Sequence, residues 1–163
     1  MIEHEQIENT LLEKEIMMEL THPFLVSMDY VFQSETRLYF IMPFIRGGEL
    51  YQIFLENKRF EEDVVRFFAA QIILAIGELH KNGFMHRDLK LENVMMEEDG
   101  YLKVIDYGLA KNFSPGSDFA TSFCGTPDYI APEMIEGKGH DFSVDWWAVG
   151  VMIYEMRIGV TPF

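Results

Sequence analysis

The chain has 163 residues, enough for one ordinary domain with its own core. Hydrophobic residues make up 48% and charged residues 25%, which excludes a disordered tail. The net charge of −14 argues against nucleic acid and anionic membrane as partners and suits basic peptides, although acidity that serves only solubility fits equally well.

The longest apolar run, Phe67 to Leu79, is broken by Gln71 and Gly77, so no membrane insertion is expected. The start is acidic, with no basic region ahead of an apolar one, and no signal peptide is expected. The single cysteine, Cys124, cannot close an internal disulfide, which suits a reducing, cytoplasmic setting.

Ile2 to Leu20 is expected to be a helix. Ile7, Leu11 and Met18 share one face and Leu12, Ile16 and Leu20 another, as in a helix wedged between other elements. His22-Pro23 ends it, because the residue before proline disfavours the α region. Phe24 to Gln33 and Leu38 to Phe44 are rich in aromatic and β-branched residues and are expected as two strands joined through Ser34 to Arg37. Pro43 falls at a strand end, where a missing donor is tolerated. Arg46-Gly47-Gly48-Glu49-Leu50 reads as a turn.

Glu61 to Lys81 is expected as a long helix with Val64, Phe68, Ile72 and Leu79 on a broad apolar face, stopped by Gly83. His80 near its end suits a helix C-terminus better than catalysis. Val94 to Glu97 and Tyr101 to Ile105 form a hairpin turning at Glu98-Asp99-Gly100. Lys111 to Thr126 is a polar, Gly/Ser-rich loop. Ser143 to Met156 is almost continuously apolar and reads as a buried helix. Asp145 in its first turn is costly there unless bonded, the plainer reading being a helix-start Asp.

One stretch gathers chemistry. His86-Arg87-Asp88-Leu89-Lys90-Leu91-Glu92-Asn93 places Asp, Lys and Asn close together, and the hairpin brings Asp106 back beside Asn93. Phosphoryl transfer needs such a set: a carboxylate to accept the proton of the attacking hydroxyl, a Lys to steady charge on the moving phosphate, and an Asn with a second carboxylate to hold Mg²⁺. Asn93 and Asp106 both offer the hard oxygen ligands Mg²⁺ requires. A merely charged turn would leave the Asn93 spacing and the later Ala131-Pro132-Glu133 unexplained.

With Asp106-Tyr107-Gly108 and Ala131-Pro132-Glu133 following in this order and spacing, the chain resembles the eukaryotic protein kinases. The text around Asn9 to Ile16, His22 to Val26 and Ser122 to Glu133 resembles the AGC group of Ser/Thr kinases, with cyclic-nucleotide-dependent kinases among the similar branches. Lys90 two residues after Asp88, and Gly125-Thr126 ahead of Ala-Pro-Glu, favour Ser/Thr over Tyr kinases.

The resemblance implies an α+β, protein-kinase-like fold. Residues 1–44 would be a partial small lobe of one helix, two strands and the hinge, and residues 45–163 the first part of a mainly helical large lobe. No Gly-x-Gly precedes position 47, and no strand Lys of the family pattern precedes Glu13. A domain truncated at both ends, with little activity alone and with Glu133 lacking its usual Arg, is therefore expected.

The cofactors implied are ATP and Mg²⁺. Asp88 would be the base, with Lys90, Asn93, Asp106 and Thr126 completing the catalytic set. Glu13 would belong to the nucleotide site, the plainer alternative being a solvated helix Glu. Met42 would gate that site and Pro43, Phe44 and Ile45 would form the adenine hinge. Glu49, Leu50, Lys90, Glu92, Asn93, Met95, Ile105 and Asp106 would complete it. Met17, Met28, His86 and Tyr107 would stack into a column linking the lobes, and the Tyr107 hydroxyl would need a partner.

Ser122 matches an activating phosphorylation site, read by Arg87 and with Lys111 as a second contact, and an upstream kinase is implied; an ordinary surface serine and Thr121 are the alternatives. Asp145 would hold the catalytic loop. Glu49, Glu92 and Glu155 would meet basic residues of a protein substrate. A non-catalytic pseudokinase or interaction module, and a metal-dependent phosphohydrolase using Asp88 and Asp106, are the competing functions.

Overall fold

The computed structural model describes residues 2–113 and 119–163; at 2–5 the backbone alone is described, and positions 114–118 of the expected activation loop lie outside the described residues. The first helix, α1 (Ile2–Glu19), buries Ile16 and Met17 and leaves Ile7, Leu11 and Met18 each more than half exposed. Of the two apolar faces expected, only the Leu12–Ile16–Leu20 side meets the core. Leu20 still bonds to the Ile16 carbonyl before His22-Pro23 turns the chain.

The expected first strand divides, because its two parts serve different partners. Phe24 and Val26 bond to Val104, and only β1 (Tyr30–Gln33) pairs with β2 (Leu38–Ile41), antiparallel, with Tyr30 opposite Ile41. β2 stops before Met42-Pro43, where a proline could not continue the ladder.

Downstream comes an element not anticipated, α2 (Leu50–Asn57), which buries Leu50 and Phe54 and ends at Lys58 with φ 65°. Its helical signal, Leu50, Ile53 and Phe54, follows directly on the Gly pair and reads as part of the turn.

α3 (Glu62–Lys81) carries Glu62 and Asp63 in its first turn and His80 and Lys81 in its last, both favourable to the helix dipole. Val65, Phe68, Ile72, Ile76 and Leu79 recur at helical spacing and are buried. Gly83, at φ 83°, bonds back to the His80 carbonyl and closes the helix.

Four short strands follow. β3 (Phe84–Met85) leads into the Asp88 loop, β4 (Val94–Met96) and β5 (Leu102–Val104) form the expected hairpin, and β6 (Lys111–Asn112) pairs with β3. Then come α4 (Pro132–Ile135) and α5 (Ser143–Ile158), the latter packed against α3. One core unites α1, α2, α3, the hairpin and α5, with Leu79, Leu91, Val104 and Met152 fully buried. Among the described residues no helix is long and apolar enough to cross a membrane.

Candidate active site

The loop between β3 and β4 stands on Asp145. Its carboxylate, 1% exposed, accepts the His86 amide at 2.9 Å, the Arg87 amide at 2.8 Å and the His80 ring Nε2 at 2.7 Å. Burial pushes this carboxyl up, but the His80, His86 and Arg87 interactions outweigh it and hold it below the ordinary carboxylate range. A carboxylate buried in an apolar helix is tolerable only with such a complete set of donors. His80 thus does more than end its helix: it is a direct partner of Asp145, a pairing 65 residues apart that periodicity could not reveal.

Arg87 takes φ 65°, so the chain turns sharply after the anchored amide. Its guanidinium donates to the Leu109 carbonyl at 2.8 Å and to Ser122 Oγ at 2.5 Å. Lys111, expected as a second contact for a phosphate on Ser122, lies in β6 opposite Met85. Ser122 is exposed. Cys124, nearby, is half-buried, and burial raises its thiol.

Four side chains then form one chain of bonds. Lys90 Nζ lies 2.9 Å from Asp88 Oδ2 and donates to Thr126 Oγ1, also at 2.9 Å. The Thr126 hydroxyl in turn donates to Asp88 Oδ1 at 2.7 Å. Asn93 Nδ2 donates to the Asp88 carbonyl at 2.8 Å and to Oδ2 at 3.2 Å. With Nδ2 spent on Asp88, the remaining polar atom of Asn93 is its amide oxygen, an acceptor.

Asp106 reaches this neighbourhood through the hairpin. Val94 lies opposite Val104, and the Ile105 amide bonds the Asn93 carbonyl at 2.9 Å. Asp106 follows at φ 63°, exposed, with Oδ1 accepting the Gly108 amide at 3.0 Å. Below it Tyr107 is fully buried, its hydroxyl bonded to the Val104 carbonyl at 3.1 Å and its ring edge-on to His86 at 5.7 Å. Met17 and Met28 are buried as well, joined by a backbone bond of 3.0 Å.

A cleft of about 540 Å³ opens beside these groups. Glu13 and Met17 line it from α1, Met42 through Ile45 from the connecting segment, and Met95, Ile105 and Asp106 from the hairpin. Val26, in the segment expected as the first strand, lines it too. Leu50 does not: it is wholly buried at the start of α2. Glu49 is exposed and bridges Met95 through its backbone. Burial raises the Glu13 carboxyl, and the charge of Asp106 raises it further.

On the other side of the loop Glu155, 7% exposed, receives a very short bond from the Tyr129 hydroxyl. Burial raises its carboxyl, and Glu92 and Asp128 add to the effect. Glu92 has one carboxylate oxygen buried with no partner among the described residues. Glu133 accepts the Ser143 hydroxyl at 3.1 Å.

Comparison with known proteins identifies the family. The protein kinase domain family matches residues 1–163. A RAC family serine/threonine-protein kinase homolog of Dictyostelium discoideum is 44% identical over 99% of this chain and 37% of its own length. The RAC serine/threonine-protein kinase of Drosophila melanogaster is 43% identical over 99% of this chain and 26% of its own. Ribosomal protein S6 kinase alpha-3 of Homo sapiens is 43% identical over 94% of this chain and 21% of its own. The chain thus spans between 21% and 37% of the length of these relatives. It belongs to the protein kinase domain family, on the AGC-type serine/threonine side.

Proposed function

We propose that the full-length protein transfers the terminal phosphate of ATP to Ser or Thr hydroxyls of proteins, with Asp88 as the base. The observation that carries this reading is the Lys90–Thr126–Asp88–Asn93 set of bonds. A carboxylate offers about four acceptor sites, so Asp88 keeps room for a hydroxyl proton while Lys90, Thr126 and Asn93 hold its plane. Lys90, already between Asp88 and Thr126, brings positive charge to where negative charge grows on the moving phosphoryl group.

The amide oxygen of Asn93 and the carboxylate of Asp106 form a hard donor pair that fits Mg²⁺, a cation that takes few protein ligands and keeps waters and phosphates. When bound, Mg²⁺ neutralises charge on the phosphates. The apolar part of the 540 Å³ cleft suits an adenine ring, with the Pro43–Ile45 backbone along its edge. Residues 1–44 then act as part of the smaller lobe and 45–163 as part of the larger.

Glu49, Glu92 and Glu155 favour basic residues upstream of the acceptor. The unpartnered oxygen of Glu92 and the burial of Glu155 support this, since both would gain from a guanidinium. Ser122, in contact with Arg87, is the site where an upstream kinase would add a phosphate; that phosphate would strengthen a bond already present. The lone cysteine fits a reducing, cytoplasmic setting.

The test is a peptide-array kinase assay on the full-length protein, as wild type, Asp88→Asn and Ser122→Ala. Asp88→Asn should lose about 10²- to 10⁴-fold, Ser122→Ala should be slower than wild type, and arrays should favour upstream Arg or Lys. Equal rates for wild type and Asp88→Asn would remove the base. Equal rates for Ser122→Ala would remove the switch, and a flat array would remove the basic preference. The presence of Asp88, Lys90, Asn93 and Asp106 together weighs against a non-catalytic module, and the resemblance from Ser122 to Glu133 weighs against a phosphohydrolase.

A further inference from the structure

The β4–β5 hairpin carries Asn93 at one foot and Asp106 just beyond the other, so its placement decides whether the two can share one ion. Both outer edges of the hairpin are tied down. On the β4 side the Met96 amide bonds the Gly48 carbonyl at 2.8 Å. On the β5 side Val104 donates to the Phe24 carbonyl at 2.9 Å and accepts from the Val26 amide at 3.0 Å. One outward donor is left on β5, the amide of Leu102, a residue only 1% exposed.

Among the described residues no strand reaches that amide. Gln71 of α3 does: its Oε1 accepts the Leu102 amide at 2.9 Å, and its Nε2 donates to the Phe67 carbonyl at 3.2 Å. Gln71 is 3% exposed, in the middle of a helix face otherwise made of Phe68, Ile72 and Leu79. A hydrophobic residue would fill this place at no desolvation cost, but it would strand a buried amide. The glutamine side chain replaces a missing strand and fixes β5 to a rigid twenty-residue helix. Strand register matters here, since a slip of one residue turns every side chain to the other face.

We propose that Gln71 is a positioning residue that sets Asp106 against Asn93 so that both meet one divalent cation; the proposal rests on reading that pair as the metal site. Partners bonded directly to a metal ligand change affinity by about 10- to 100-fold when removed; Gln71 acts one step further out, through Leu102, so the low end of that range is expected. Gln71→Met has similar bulk and no acceptor, whereas Gln71→Glu keeps an acceptor for the Leu102 amide.

The experiment is calorimetric titration of ADP into the full-length protein across a range of Mg²⁺ concentrations, with thermal midpoints measured alongside. Gln71→Met should weaken the apparent Mg²⁺ affinity of the ADP complex about tenfold, with peptide KM unchanged, and Gln71→Glu should recover most of the loss. A lowered midpoint with wild-type Mg²⁺ dependence would overturn the proposal and leave Gln71 as a stabilising residue only. Asp106→Asn separates the two readings. If it leaves Mg²⁺ dependence intact, the metal-site reading falls and the proposal with it; if it abolishes the dependence while Gln71→Met does not, only the positioning role falls.

Should Gln71→Met fail to fold, the wild-type protein still decides. Adding Mg²⁺ to the ADP complex should shift the Gln71 side-chain amide signals in NMR spectra, and should not do so in Asp106→Asn. Unmoved signals in the wild type would overturn the proposal.

Discussion

Asp145 under the Asp88 loop and Glu13 on α1 are both carboxylates withdrawn from water next to the same site, and the protein treats them in opposite ways. Asp145 has three donors within 2.9 Å and is held as an anion. Among the described residues Glu13 has no ion pair with Lys or Arg; burial raises its carboxyl, and Asp106 raises it again. The first group is fixed by its bonds. The second has a backbone bond from Tyr107, too weak to offset burial, and otherwise rests on the packing of its helix through Ile16 and Met17. The loop carrying Asp88, Lys90 and Asn93 is therefore shaped by contacts internal to this chain, whereas the Glu13 carboxyl faces the cleft with its ionisation disfavoured by burial and by Asp106.

The sharpest way to break this contrast is Asp145→Ala. It leaves the His86 and Arg87 amides without their acceptor, and loss of one side of a buried charged network costs about 3–5 kcal/mol. Urea unfolding should register that loss, together with disordering of the 86–93 loop; a variant as stable as wild type would erase the distinction. Next in size, Ile16→Ala should cost about 2–5 kcal/mol as a core truncation, while Ile7→Ala on the exposed face of the same helix should stay within about 0.5 kcal/mol. Equal costs would mean that the outer face of α1 is covered in solution.

The smallest effect is the pH dependence, where the two carboxylates should differ in sign. Asp145, depressed when folded, contributes stability that is present above the ordinary Asp range, near pH 4, and is lost as pH falls through its lower folded value. Glu13, raised when folded, contributes stability that is full below the ordinary Glu range and is lost as pH rises through its higher folded value. Glu13→Gln should therefore be more stable than wild type near neutral pH, with the gap closing toward about pH 4. A gap that widens in acid would reverse the assignment.

What the sequence disclosed follows the same division. The Asp88 loop, the hairpin, α3 and α5 were readable, because motif spacing, an Asp-Gly turn and long apolar periodicity are local signals. The expected first strand was overdrawn, since composition cannot tell that Leu25 pairs with Val104 while Val31 pairs with Phe40. α2 was hidden behind a Gly pair that reads as a turn. His80 and Gln71 were the deeper omissions. A lone polar residue in a helix looks like an end-group or an interruption until a partner 65 or 31 positions away is brought to it. In Gln71 a clue was present, as the one amide in the apolar run from Phe67 to Leu79.

The central claim is that Asn93 and Asp106 hold one nucleotide-bound cation beside the base Asp88. Substituting Mn²⁺ for Mg²⁺ with ADP and following paramagnetic broadening in NMR spectra tests it most directly. Signals of Asn93, Asp106 and Gly108 should vanish first and those of Asp88 soon after, while the outer face of α1 stays sharp. Broadening centred on any other part of the surface, with these four residues unaffected, would contradict the account.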